Sequence, residues 1–377
     1  MKNTFLLFFF LSCTFSGFAQ QTIDATLMHD GIEREFIIYL PANYTGNEPV
    51  PMIFNFHGFT SNAGQQLFYS DFRTIADTAG FILVHPEGTL FNGNTHFNVG
   101  GFTAGSTVDD VGFTSAMIDY MSAEYNINLD RVYSTGMSNG GFMSFLLACQ
   151  LSDRIAAVAS VTGSMTPETF NPCNPQHPTP VLQIHGTVDA TVPYNGANWT
   201  KPINDVIEYW VDFNNITTTP TTTVLPDINI LDLSTAEQIV YEGGDNGATV
   251  EHFKITGGGH TWPGAALVLP GTNMDFSASE EIWRFFSQFD INGEIGITSV
   301  EDLVENQINV YPNPTHSTIN ITSDFSRALE YEVISPIGET LLTGSLRSSN
   351  EEIDLSGLGA NIYYLKVGTE VFKILKN

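Results

Sequence analysis

A serine stands between two glycines in "YSTGMSNGGFMS", Tyr133 to Ser144; the run before it is β-like, and "FMSFLLACQ" after it is strongly helical. A strand, a G-x-S-x-G turn and a helix form the setting in which a serine sits on a sharp elbow, its hydroxyl free to attack a carbonyl. The glycines let the backbone close the turn, and the start of the helix directs positive charge toward an anion forming above Ser138. In a chain with 33 glycines the pentapeptide alone is weak, and a glycine-rich turn that merely contains a serine is the competing reading. A nucleophilic serine also needs a base and an orienting acid. Candidates follow in the chain order Ser, Asp, His that such elbows use. "VLQIHGTVDATVPY", Val181 to Tyr194, carries Asp189 just past an apolar strand, where open α/β sheets gather their functional loops. "ITGGGHTWPG", Ile255 to Gly264, places His260 on a glycine-rich loop after the last long strand.

Acyl transfer further requires donors for the oxyanion. "FNFHGFTSN", Phe54 to Asn62, turns sharply after an apolar strand, so the backbone N–H near Phe59 can pair with that of Asn139, the residue after the serine. Trp262, two residues beyond His260, either offers a flat face to an aromatic acyl group or sugar, or packs its loop over the core. His57, His85 and His185 lie at strand ends and read as structural or pocket-lining residues, with His57 the candidate for the substrate side. His29, His96, His177, His252 and His316 show no partner pattern.

The elements that must position these residues alternate from Gln21 to about Asp290, β-like runs with helical ones, the pattern of an α/β domain with a mostly parallel sheet covered by helices on both faces. Strands are expected at Glu33 to Pro41, Met52 to Gly58, Phe81 to Gly88, Arg131 to Gly136, Val181 to Gly186 and Val250 to Gly259; several are continuous apolar runs, as in buried parallel sheets. Asp109 to Asn126 has helical spacing with Asp109 or Asp110 at its N-terminus, and Phe276 to Phe289 forms an amphipathic helix with Ser277 or Ser279 as cap. The Thr-rich stretch from Asn214 to Ser234 reads as a loop excursion. Residues 291–307 read as a linker with a short strand, and 308–377 as a small antiparallel, sandwich-like β domain without a concentrated set of catalytic residues. That second domain reads as an accessory or targeting module, with carbohydrate binding open.

Residues 1–19 have the layout of a cleaved secretory signal, too short and too soon interrupted at Ser12 for a spanning helix of roughly 20 apolar residues. A lipid-anchored Cys13 is the weaker alternative. If Cys13 leaves with the signal, Cys149 and Cys173 remain as a disulfide in an oxidising compartment or as two separate buried thiols. Without a CxxC pattern or clustered histidines they make no zinc site, and nothing points to a metal or organic cofactor. The formal charge of −28, from 41 acidic against 13 basic residues, excludes nucleic acid and anionic membranes as partners.

Taken in order, "FNFHGF", "VDDVGF", "YSTGMSNGGFMS", "LQIHGTVDATVPY" and "GGGHTWPG" resemble the secreted polyhydroxybutyrate depolymerase and feruloyl esterase group of the α/β-hydrolases, over about Gln21 to Asp290. The resemblance implies Ser138 as nucleophile, Asp189 as acid and His260 as base, and a Cys149–Cys173 disulfide between the helix after the elbow and the following loop. Many relatives carry cysteines just before "VDDVGF"; here that loop is "NVGGFTAGST", Asn98 to Thr107, so this part of the pocket rim differs. Residues 308–377, with "VYPNPTHSTINI", "IDLSGLGANIYYLKV" and "KILKN", resemble the type IX secretion sorting domain, which implies the type IX machinery as a partner and a secreted or surface location. The expectation is a secreted serine carboxylesterase acting on feruloyl or acetyl esters of plant polysaccharide. A polyhydroxybutyrate-type polyester depolymerase, a non-catalytic polysaccharide-binding surface protein and a peptidase are the alternatives.

Overall fold

The computed structural model describes residues 20–296, 309–322, 329–335, 340–346, 350–367 and 370–377. The expected signal and most of the expected linker lie outside them. The chain divides into two compact units, Met1–Ile297 and Thr298–Asn377.

The first unit is built on one ten-stranded sheet. Its strands are β1 (Gln21–His29), β2 (Ile32–Leu40), β3 (Val50–Phe56), β4 (Ile82–Pro86), β5 (Ile127–Met137), β6 (Ala157–Val161), β7 (Val181–Gly186), β8 (Thr221–Val224), β9 (Thr235–Tyr241) and β10 (Val250–Thr256). They lie in the order β1-β2-β4-β3-β5-β6-β7-β10-β9-β8. From β4 to β10 every pairing is parallel. Antiparallel strands close each end, β1 and β2 on one side and β9 and β8 on the other. The parallel strands β4, β6 and β7 are buried along their whole length, as in a sheet covered on both faces, and β4 and β7 lie within the expected apolar strand runs.

Successive side chains of a strand point to opposite faces, and the core splits accordingly. Two short helices, α1 (Ala63–Tyr69) and α2 (Arg73–Ala79), come first in the chain. Phe54 and Phe56 join α3 (Asp110–Glu124), α4 (Asn139–Gln150) and α5 (Ile203–Phe213) through Phe113, Phe145 and Trp210. Ile53, Leu182 and Ile184 join α6 (Ala278–Phe286) through Ile282, Phe285 and Phe286 on the other face. Asp109 caps α3, its carboxylate accepting the Gly112 N–H at 2.8 Å, and Ser277 caps α6.

Several elements were not expected. In α5, Ile203, Val206, Ile207 and Trp210 are buried at helical spacing, a periodicity present in the sequence. Strand β6, "AVASV", consists of small residues and lacks the bulk that marks its neighbours. The stretch 214–234 contains β8, an edge strand exposed at all four residues and therefore without apolar alternation.

The second unit consists of two antiparallel sheets. One joins Asn309–Tyr311, Thr318–Thr322 and Asn350–Asp354; the other joins Leu329–Ile334, Thr340–Leu346, Asn361–Val367 and Glu370–Lys376. Alternate residues Ile319 and Ile321, and Tyr363, Leu365 and Val367, are buried in a core of this unit's own.

Candidate active site

The candidate nucleophile sits where β5 ends and α4 begins. Ser138 has φ 54° and ψ −117°, a region that costs a side-chain-bearing residue roughly 1–3 kcal/mol. Two contacts hold it there: the Ser138 N–H donates to the Val161 carbonyl at 2.8 Å, and its own carbonyl accepts from Phe142 N–H at 3.0 Å. The flanking glycines are required by close approach, since a Cβ on Gly136 would lie 2.6 Å, and one on Gly140 2.1 Å, from the Phe56 carbonyl oxygen. The elbow is thus wedged against the end of β3.

Asp189 and His260 come from the loops after β7 and β10, adjacent parallel strands, so both reach the same end of the sheet. His260 Nδ1 lies 2.7 Å from Asp189 Oδ2. The other carboxylate oxygen, Oδ1, accepts the Thr191 N–H at 2.8 Å and the Val192 N–H at 2.9 Å. Burial pushes the Asp189 carboxyl up, but the hydrogen bond and charge of His260, the Val192 N–H and nearby His185 together hold it below the ordinary carboxylate range. An ionised Asp189 keeps the proton of His260 on Nδ1 and leaves Nε2 as the basic nitrogen. His185 is buried behind this pair, 3.4 Å from Asp189 Oδ2, with its Nε2 on the Val192 carbonyl at 2.9 Å.

On the oxyanion side, Gly58 packs against the elbow: a Cβ there would lie 3.5 Å from Ser138 Cβ. Neither the Phe59 N–H nor the Asn139 N–H donates to a protein acceptor among the described residues. Both peptides are held from behind. The Asn139 side chain accepts the Phe97 N–H at 2.7 Å and donates to the Phe97 carbonyl at 3.0 Å. His57 Nδ1–H donates to the Gly58 carbonyl at 2.7 Å, and its Nε2 accepts the Gly88 N–H at 2.9 Å. Burial lowers the His57 pKa to about 4, so the ring is neutral and its tautomer is set by these two backbone partners.

Residues 34–174 match the family described as Esterase PHB depolymerase, and residues 309–377 match the Secretion system C-terminal sorting domain. The chain carries these two domains. The first match contains Ser138 and ends before Asp189 and His260. The chain is 27% identical over 277 residues to a bifunctional acetylxylan esterase/xylanase of Neocallimastix patriciarum, covering 73% of this chain and 36% of that protein. It is 30% identical over 238 residues to feruloyl esterase B of Piromyces equi, covering 60% of this chain and 42% of that one. It therefore spans less than half the length of either relative. Among solved structures, the acetyl xylan esterase from Aspergillus awamori superposes with a TM-score of 0.51 at 15% identity, over 71% of this chain and 99% of the other, a likeness of α/β-hydrolase fold.

Within the first unit two expected substrate residues face inward. Trp262 is 1% exposed: its Nε1–H donates to Ser279 Oγ on α6 at 3.2 Å and its ring meets Phe72 edge-on. It packs the His260 loop onto the core and has no face left for a ligand. His57 is fully buried with both ring nitrogens committed to backbone, so it can position the Gly58–Phe59 peptide but not touch a substrate. Cys149, near the end of α4, and Cys173 are joined in a disulfide.

Sequence reasoning missed Asn139's side-chain clamp and the second aspartate of "VDDVGF". Asp110 is buried, pairs with Arg34 at 2.7 Å and accepts the Asn98 N–H at 2.7 Å, anchoring the rim loop 98–107. The doubled Asp was the available signal: one residue caps α3 and the other reaches back. An apolar cavity of about 610 Å³ lies between the stretches that follow the oxyanion turn and His260, lined by Gln65, Phe68 and Tyr69 on one side and Leu267 and Leu269 on the other.

Proposed function

We propose that this protein is an exported serine carboxylesterase that works through an acyl-enzyme. The observation that carries the reading is the 2.7 Å Asp189–His260 pair standing with a serine held at positive φ on a strand-turn-helix elbow. His260 Nε2 takes the Ser138 proton as Oγ attacks the ester carbonyl, forming a tetrahedral oxyanion. The Asn139 and Phe59 N–H groups stabilise that charge. Collapse of the intermediate expels the alcohol, which receives the proton from His260; water then adds to the acyl-serine by the same route and releases the acid.

Feruloyl or acetyl esters carried on plant polysaccharide are the favoured substrates, supported by the names of the relatives to which the chain is similar. The alternative, a hydroxyalkanoate polyester, is favoured by the family description and by the apolar cavity beside exposed Phe68 and Leu267. An inactive polysaccharide-binding module is disfavoured because the whole acid, base and nucleophile set is present. The sorting domain supports export by the type IX machinery. The test compares wild type with Ser138→Ala on methyl ferulate, an acetylated xylo-oligosaccharide and a 3-hydroxybutyrate oligomer. Loss of all turnover in a folded variant is expected. Retained hydrolysis by Ser138→Ala would refute the nucleophile.

A further inference from the structure

Four aromatic rings crowd one side of the elbow. Phe102 meets Phe59 at 6.0 Å, Phe142 at 5.4 Å and Trp199 at 5.2 Å between centroids, each close to edge-on. Phe142 is buried one turn into α4, its N–H on the Ser138 carbonyl, while Phe59, Phe102 and Trp199 are partly buried. Phe59 follows Gly58, whose Cβ position lies 3.5 Å from Ser138 Cβ, so the row of rings starts one residue from the elbow.

Both loops bearing the outer rings are fixed in advance. Around Phe102, the Val99 N–H donates to Thr103 Oγ1 at 2.9 Å, the Val99 carbonyl accepts from Thr166 Oγ1 at 2.7 Å, and the Gly101 N–H donates to Glu168 at 3.2 Å. Trp199 rides on a tight turn closed by two backbone bonds between Ala197 and Thr200. The loops touch, since a Cβ on Gly101 would sit 2.8 Å from the Trp199 carbonyl oxygen. Rings held this way lose little freedom when a ligand lands on them.

We propose that Phe59, Phe102 and Trp199 form a shelf on which a neutral sugar ring, part of the alcohol side of the ester, stacks while its ester sits at Ser138. This rests on the esterase reading. An open, half-wet aromatic surface suits a ring with one apolar C–H face and hydroxyls that stay in water. A phenyl ring would gain more from full enclosure, and a hydroxybutyrate chain has no flat face. The formal charge of −28 favours a neutral saccharide over one rich in uronate.

The test uses the full chain with Trp199→Ala, Phe102→Ala and the conservative Trp199→Phe, on an acetylated xylo-oligosaccharide, methyl ferulate and ethyl acetate. The ratio of kcat/KM on the sugar ester to that on ethyl acetate is expected to fall roughly tenfold in each alanine variant, mainly through KM, and to recover in Trp199→Phe. An equal fall on all three esters would overturn the shelf, and so would a fall confined to methyl ferulate, which would assign the rings to the acyl side. A separate arm titrates Ser138→Ala, with and without Trp199→Ala, with the unesterified xylo-oligosaccharide; equal binding refutes the shelf. Because that arm needs no turnover, it still decides the matter if wild type hydrolyses none of the esters and the esterase reading itself falls.

Discussion

Replacing His57 should damage catalysis without the residue ever touching substrate. A peptide unit is planar, so the Gly58 carbonyl and the Phe59 N–H are opposite ends of one rigid group. By donating Nδ1–H to that carbonyl at 2.7 Å, His57 sets the direction of the Phe59 N–H, the proposed oxyanion donor. His57→Phe keeps a ring in the slot beside Phe97, 4.6 Å between centroids, but removes both hydrogen bonds. The Gly58 carbonyl keeps a second bond, from the Ser61 N–H at 3.1 Å, whereas the buried Gly88 N–H loses its His57 partner. The stability loss is therefore about 1–3 kcal/mol, from that one orphaned donor. Deleting an oxyanion donor outright costs about 10²–10³ in kcat. With the Ser61 bond limiting the swing, a fall of about tenfold to a hundredfold is expected, with little change in KM because the ground-state carbonyl is weakly held. Two further variants separate the bonds: an Asn amide can mimic Nδ1 and keep Gly58, whereas the longer Gln reaches the Nε2 position and keeps Gly88. The assay is kcat and KM on ethyl acetate, corrected for folded fraction by urea titration, with inhibition by a trifluoromethyl ketone as oxyanion mimic. The expected order of kcat is wild type, Asn, then Gln and Phe together, with inhibitor affinity falling in step. If His57→Phe lowers only stability, or if Gln outperforms Asn, the positioning argument is wrong.

Other outcomes follow from the same contacts. Asn139→Ala leaves the Phe97 N–H and carbonyl without their clamp and should cost about 2 kcal/mol or more in urea unfolding, with kcat falling as the start of α4 loosens. The Cys149–Cys173 bridge closes a loop of 24 residues' separation, so the double Ser variant should lose about 3.5 kcal/mol by the same measurement. Acid should unfold the protein well above the carboxylate range. Burial holds His57 and His252 at about 4 and His85 at about 3, against 6.5 when unfolded. Between those values the unfolded chain binds the extra protons, so stability is full above about pH 6.5 and falls as pH drops toward 4, by up to about 4 kcal/mol per pH unit for the three together. Urea midpoints at pH 7, 6 and 5 check this, and a flat profile would contradict it.

The parts of the site legible in the sequence are those whose chemistry is local. Ser138 could be read because strand, glycines and helix follow one another within "YSTGMSNGGFMS". Asp189 and His260 could be read because parallel strands deliver their following loops to one end of the sheet, whatever the separation along the chain. What was not legible depends on which way a loop side chain turns, and the two tryptophans show it. Trp262 stands two residues from His260 yet is drawn inward, because Ser279 on α6 offers its indole N–H a partner and Phe72 a packing edge. Trp199 lies on a turn of polar residues with no motif, yet Phe102 and Phe142 prop it beside the elbow. Its partners come from two other segments, one of them the rim loop whose missing cysteines were the only sign that this wall is built differently. This rim loop is held by hydrogen bonds, the Asn98 N–H donating to Asp110 and Thr166 Oγ1 donating to the Val99 carbonyl, the second across 67 residues of chain. An aromatic wall assembled from three loops has no periodicity to betray it, so the surface on which a substrate's sugar is proposed to rest is the part of this protein that only the folded structure reveals.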